Sequence, residues 1–253
     1  MFQNIQNNNQ EQKNYENQNN KIQVKQILKK LFSLQNIALY IIGFMISMVG
    51  FRSQNFILSI SPFAISFLAA MLANRMTIGI TYVITLIGTY VSFGTNSLLI
   101  YFLTSLVFLA LVLIKRPKIQ PEVNEQSKVG VHLILAVLSV QIIPMFFRSF
   151  YIYDLLTSIM LTICSYVFYK IFTNAILMVK EFGVKKAFSI EEVMGTSLLL
   201  AISFCALEDI AIFGYSISNI LSILLILILG WKNGMVVGAT RWYYHRNSIR
   251  HNR

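Results

Sequence analysis

Charge is scarce in this sequence. Only 12% of its 253 residues are Asp, Glu, Lys or Arg, and just ten of those are acids. A water-soluble domain carries about twice that share, so there is too little charge here to coat a soluble globule. Cysteine is scarce too. Cys164 and Cys205 are the only two, they lie far apart inside apolar runs, and they exclude a disulfide-stapled secreted domain. Four prolines and twelve glycines exclude a collagenous or Pro-rich chain. No Gly-rich phosphate loop and no nucleophile elbow occurs. What remains is grease: 56% of residues are hydrophobic and the mean hydropathy is +0.62.

That grease falls into eight stretches: 37–51, 56–73, 76–93, 97–114, 129–147, 151–171, 193–207 and 210–231. A helix that crosses a bilayer needs about 20 mostly apolar residues. The first and seventh stretches are short and would each borrow a turn from a flank. A ninth begins at 234–240 and stops. The sequence therefore predicts an all-α fold, a multi-pass transmembrane helical bundle of about eight spans. Links such as 74–75, 94–96 and 208–209 are short, which favours antiparallel neighbours. The stretches are far longer than the roughly ten-residue alternating strands of a membrane barrel, so strands are not expected.

Orientation follows from Lys and Arg. With the N-terminus inside, nineteen of the 21 face the cytosol, and only Arg52 and Arg148 fall on outer turns. The positive-inside rule favours that bias, and topology alone then explains the net charge of +11. The charge is no argument for nucleic acid.

The domain organisation expected is as follows. Thirteen of the first twenty residues are Asn or Gln, so 1–20 reads as a disordered tail. Residues 21–36 form a basic juxtamembrane segment. Within it Ile22, Ile27, Leu28, Leu31 and Leu34 recur at helical spacing, with Lys21, Lys25, Lys29 and Lys30 between them. The segment reads either as an amphipathic helix drawn to anionic lipid or as a charged extension that only sets topology. Residues 37–240 are the transmembrane domain, and 241–253 a basic tail.

The chemistry-bearing residues are few. Cys164 and Cys205 read as small buried apolar side chains. His132 stands alone, and a metal site needs a cluster, so it reads as satisfied by a neighbouring helix. Asp154 lies one turn into the sixth stretch. Lys170 lies near that stretch's inner end and can snorkel. Glu208 and Asp209 sit at an outer turn. None of these is at a span centre, where a pump places its charge. The sequence thus predicts no catalytic, cofactor-binding or metal site and no cofactor. Gly43, Gly50, Gly79, Gly88, Gly195, Ser59, Ser61, Ala69 and Ala70 would let helices approach closely. Pro62 and Pro144 lie within stretches and are expected to kink them. Ser189, with Glu192 three residues on, reads as a capping box at a helix start.

Three segments carry a family resemblance. Ile60-Ser-Pro-Phe-Ala-Ile-Ser-Phe-Leu-Ala-Ala70, Phe188-Ser-Ile-Glu-Glu192 and Ile212-Phe-Gly-Tyr-Ser-Ile-Ser-Asn-Ile220 resemble segments of the stage II sporulation protein E family. The resemblance covers roughly residues 37–240. It implies a bacterial cell-membrane protein of endospore formers whose membrane part anchors a metal-dependent serine phosphatase at the asymmetric septum, where forespore sigma-factor activation begins. It implies self-association and contact with cell-division proteins. The phosphatase's metal-binding acids have no counterparts here, so the expectation is a truncated anchor, not an enzyme. The alternative is a complete small transporter or channel.

The tail 241–253 holds four Arg and two of the three His. If Arg is encoded as AGG or AGA, Tyr as TAY, His as CAY, Asn as AAY and Ser as AGY, a one-base shift would turn the tail into a Gly-rich apolar run that continues the ninth stretch. It is therefore expected to be out of frame. A true basic tail on the inner surface is the other reading, and it too suits the positive-inside rule.

Overall fold

A computed structural model describes residues 33–50, 61–114, 123–143, 145, 151–182, 188–212 and 214–228. The chain divides into two compact units between Ile41 and Ile42. Of the first, the described part is the opening of α1 (Leu34–Met48), where Ser33 Oγ accepts the Asn36 N–H at 3.4 Å. The expected tail 1–20, most of the basic segment 21–36 and residues 229–253 lie outside the described residues.

The second unit holds the rest of α1 and, among the described residues, α2 (Pro62–Ala73), α3 (Ile78–Ile114), α4 (Val123–Ile142), α5 (Ile152–Glu181), α6 (Ile190–Cys205), β1 (Ala211–Ile212), β2 (Tyr215–Ser216) and α7 (Ile217–Ile228). The all-helical expectation holds, with one small exception. The stretch 210–231 does not begin as a helix. Its first residues make a two-residue antiparallel ladder, Ala211 opposite Ser216 and Ile212 opposite Tyr215. Gly214 turns it at φ +84°.

Among the described residues two helices, α3 and α5, are long and apolar enough to cross a membrane. α3 is nevertheless not a straight rod. Gly94 sits inside it at φ 77°, ψ −168°, a conformation open essentially to glycine alone. Tyr101 Oη donates to Thr85 Oγ1 at 2.8 Å, and Ser105 Oγ lies 3.2 Å from Tyr82 Oη. On a straight helix these pairs would be about 24 and 34 Å apart, at 1.5 Å per residue. α3 is therefore a hairpin with an outgoing arm, 78–93, and a returning arm, 95–114. The sequence break at 94–96 is a reversal at Gly94.

α2 is the centre. Ten of its twelve residues, Pro62 to Met71, are buried, and it packs on α3, α4 and α5. It is apolar all round, as a helix enclosed by others must be. Pro62 does not kink it, contrary to expectation. Pro62 opens the helix, where its missing N–H costs nothing, and Ser61 Oγ caps it by accepting the Ala64 N–H at 3.3 Å. At the other end Met76 N–H reaches Met71 O and Arg75 N–H reaches Leu72 O, both at 3.0 Å. This is a Schellman stop with Arg75 left-handed at φ 54°. Pro144 lies outside the described residues; α4 ends at Ile142, ahead of it.

α5 runs 30 residues, about 45 Å, ten beyond the expected 171. The extra turns carry Asn174, Lys180 and Glu181, which suits a helix that leaves the apolar layer.

Candidate functional site: a hydroxyl-lined helix interface

Many of the residues buried where the helices meet are Ser and Thr. On the outgoing arm of α3, Thr81, Thr85 and Thr89 recur every four residues and are buried. On α5, Ser158, Thr162, Ser165, Tyr169 and Thr173 form a second buried row. Most of these hydroxyls donate to the carbonyl four residues back: Thr81 to Thr77, Thr85 to Thr81, Thr89 to Thr85, Thr162 to Ser158 and Thr173 to Tyr169, at 2.7–2.9 Å. Such a hydroxyl is small and already satisfied. It lets two helices approach without leaving an orphan polar group in an apolar layer.

A few bonds cross between helices and fix register. Ser66 Oγ reaches Ser165 O at 2.7 Å, and Asn74 Nδ2 reaches Thr173 O at 3.1 Å. The partners advance by the same eight residues on both helices, so α2 and α5 run in the same direction. Edge-to-face ring pairs, Phe63 on Phe168 at 4.6 Å and Phe67 on Phe172 at 6.2 Å, fill the space between. At one end of this pair Lys180 Nζ donates to Asn74 O at 3.3 Å. At the other end of α2, Ser61 Oγ donates to Val49 O at 2.6 Å. Tyr169 Oη donates to Gln126 O at 2.6 Å and ties the start of α4 to α5.

Glycine does part of the joining. A Cβ on Gly88 would stand 2.8 Å from Phe44 O, and one on Gly195 would stand 2.9 Å from Ile171 O. Gly43 lies against Phe67, and Gly50 against Phe93 and Ser61. Gly79, expected to act likewise, has nothing within 4 Å.

The candidate chemical residues are scattered. Cys205 is exposed and Cys164 half-buried, so neither is the buried apolar residue expected; both lie on helix faces that the protein leaves open. His132 is buried, but its Nδ1 bonds Lys128 O of its own helix at 2.6 Å, not a neighbour. That bond makes Nδ1 the donor. Asp154 sits half-buried in the first turn of α5, where a carboxylate suits the helix dipole. Lys170 is exposed and points its ammonium at the Tyr166 ring, 6.0 Å from the centroid. Glu208 and Asp209 lie exposed in the turn before β1. Ser189 and Glu192 make the expected capping box, at 2.9 and 3.2 Å. No three His, Cys, Asp or Glu gather among the described residues. The arrangement can hold helices together in lipid; it brings no nucleophile to a base.

The hydroxyl rows and Asn74 went unread in the sequence, although the spacing of Thr77, Thr81, Thr85 and Thr89 was a visible signal. Against known proteins, residues 1–241 match the family described as "SpoIIE, N-terminal domain". No curated protein and no solved structure matches the chain. An all-helical unit whose helices meet through small, self-satisfied side chains, matched over nearly all its length, belongs to the SpoIIE N-terminal domain family.

Proposed function

We propose that the chain is a multi-pass membrane anchor in sporulation. It crosses the bilayer eight times with its N-terminus in the cytosol, and it gathers at the polar septum. The observation that carries this reading is the family match over residues 1–241. Helix direction supports the topology. Met48 O, which accepts from Ser92 Oγ at 2.7 Å, shares one end of the unit with Val49 and Ser61. Asn74, Thr173 and Lys180 share the opposite end. Helices that alternate in this way put Arg75 and Lys180 on one side and Glu208 and Asp209 on the other, as the positive-inside rule asks. Tyr90, Tyr151, Tyr153 and Tyr215 are exposed towards the acidic side, the usual place for interfacial aromatic residues. The open faces of α3, α5 and α7 are apolar and suit lipid tails.

Anchoring needs the lipid bilayer, self-association through small-residue faces, and cell-division proteins as septal partners. It needs no catalysis and no nucleic acid. The transporter alternative requires a polar path, whereas most of the buried hydroxyls are turned to their own helix carbonyls. The family match ends at residue 241, where the codon argument places the shift. This supports the out-of-frame reading of 241–253, which the nucleotide sequence tests directly.

The topology is tested with single cysteines in a chain carrying Cys164→Ala and Cys205→Ala. A cysteine at 118 should resist, and one at 149 accept, an impermeant maleimide added to intact cells. Labelling at 118 from outside overturns the orientation. A fluorescent fusion in a sporulating cell should concentrate at the polar septum; uniform membrane fluorescence overturns the septal role.

A further inference from the structure

Gln141 stands apart from the other buried polar side chains among the described residues. It lies at the end of α4, 1% exposed, and neither Nε2 nor Oε1 has a hydrogen-bond partner. The hydroxyls of α3 and α5 turn back on their own helices, and Asn74 spends its amide on Ala70 O and Thr173 O. A primary amide brings two donors and an acceptor with two lone pairs. Placed in an apolar interior, it calls for a ligand that can answer both.

The surroundings define that ligand. Val140, next in the chain, packs on Ile100 of the returning arm of α3. Ser97, one turn ahead of Ile100, is also buried. α4 packs further on α2 and α5. Among the described acids and bases only His132 and Glu192 are buried. His132 is nine residues back along α4, about 13.5 Å away at helical rise. Glu192 is held in the cap of α6. An ion beside Gln141 would find no buried counter-charge among the described residues. A small neutral molecule that both donates and accepts meets the amide's needs, and buried water typically satisfies such groups. We infer that Gln141 holds an internal water site in the half of the unit nearest Gly94, where α4 packs among the neighbouring helices. The water is a structural ligand that lets a polar side chain sit inside the bundle.

The experiment is millisecond hydroxyl-radical labelling by X-ray pulses on the full chain in detergent micelles, read by mass spectrometry. Radicals form from water in place, so a buried methionine is oxidised only if water stands beside it. Met145, four residues after Gln141, and Met71, in the last turn of α2, are both buried. Met145 should oxidise several-fold faster than Met71. In Gln141→Leu the Met145 rate should fall to that of Met71. The melting temperature of Gln141→Leu and of the closer isostere Gln141→Met should hold or rise, because amide and water leave together. Equal rates at Met145 and Met71 in the parent chain would overturn the inference, as would an unchanged Met145 rate in Gln141→Leu. A melting temperature lowered by several degrees in both variants would also overturn it, because it would assign the amide to a protein group.

Discussion

α2 and α7 are built from similar material and face opposite surroundings. α2, Pro-Phe-Ala-Ile-Ser-Phe-Leu-Ala-Ala-Met-Leu-Ala, is buried from Pro62 to Met71. α7, Ile-Ser-Asn-Ile-Leu-Ser-Ile-Leu-Leu-Ile-Leu-Ile, exposes Ile220, Ile223, Leu224, Ile226, Leu227 and Ile228. In water the second arrangement would be untenable, since exposed apolar surface costs about 25 cal/mol per Å². In lipid that driving force vanishes, and what separates the two helices is packing. α2 has the shapes for it: Ala64, Ser66, Ala69 and Ala70 are small, and Phe63 and Phe67 find rings on α5. α7 ends in a row of Ile and Leu, a good surface for mobile chains and a poor one for a close helix partner. Hydrophobicity puts a helix in the membrane; the size pattern decides what it touches there.

Truncating a large residue in each helix tests the contrast most severely. Phe67→Ala should lower unfolding free energy by about 3 kcal/mol or more, a core-sized loss, whereas Leu224→Ala should change it by less than about 0.5 kcal/mol. Reversible SDS titration in mixed micelles reads both, and equal losses would erase the distinction. Enlarging a small residue comes next. Gly195→Leu drives a side chain at Ile171 O and should cost about 1–3 kcal/mol, while Gly79→Leu, with nothing within 4 Å, should be nearly silent in the same assay. Asn74→Leu removes the bond to Thr173 O that keeps α2 in register; interhelical bonds in membranes average about 0.6 kcal/mol, and the loss should be of that order. Ser189→Ala removes the cap of α6. It should cost about 1 kcal/mol in overall stability and speed amide hydrogen exchange at Glu191 and Glu192, with exchange along α2 unaltered.

The comparison also explains what the sequence made legible. Apolar runs located α1, α3 and α6 to within three residues at each end, because the length of a greasy run is a property of the run itself, whereas α4 starts six residues before its run and ends five short of it. The break at Gly94 and the cap at Ser189 were equally readable, since both are local chemistry. Pro62 was misread because a proline inside an apolar run looks like a kink until it is seen to open a helix capped by Ser61; Ser61 was the available clue. α5 was cut short at 171 because Thr173 and Asn174 interrupt the apolar run and Lys180 and Glu181 end it, although Phe172, Ala175 and Ile176 are buried. Gln141 was passed over for a deeper reason. A glutamine in an apolar run looks the same with or without a partner, and only the arrangement of other helices decides which it is. The same holds for Cys164 and Cys205: burial is a property of neighbours, not of residue type.

The reversal at Gly94 has a consequence for how this chain tolerates change. A turn of one residue has no slack, so the arms on either side are geared together. Inserting a single residue there would rotate one arm by about 100° relative to the other. The threonine row of 81, 85 and 89 would swing from Tyr101 towards the acyl chains, and every later helix would inherit the error. Length variation should therefore be absorbed at the wider connections, and this corner should behave as a fixed gear tooth in any library of insertions.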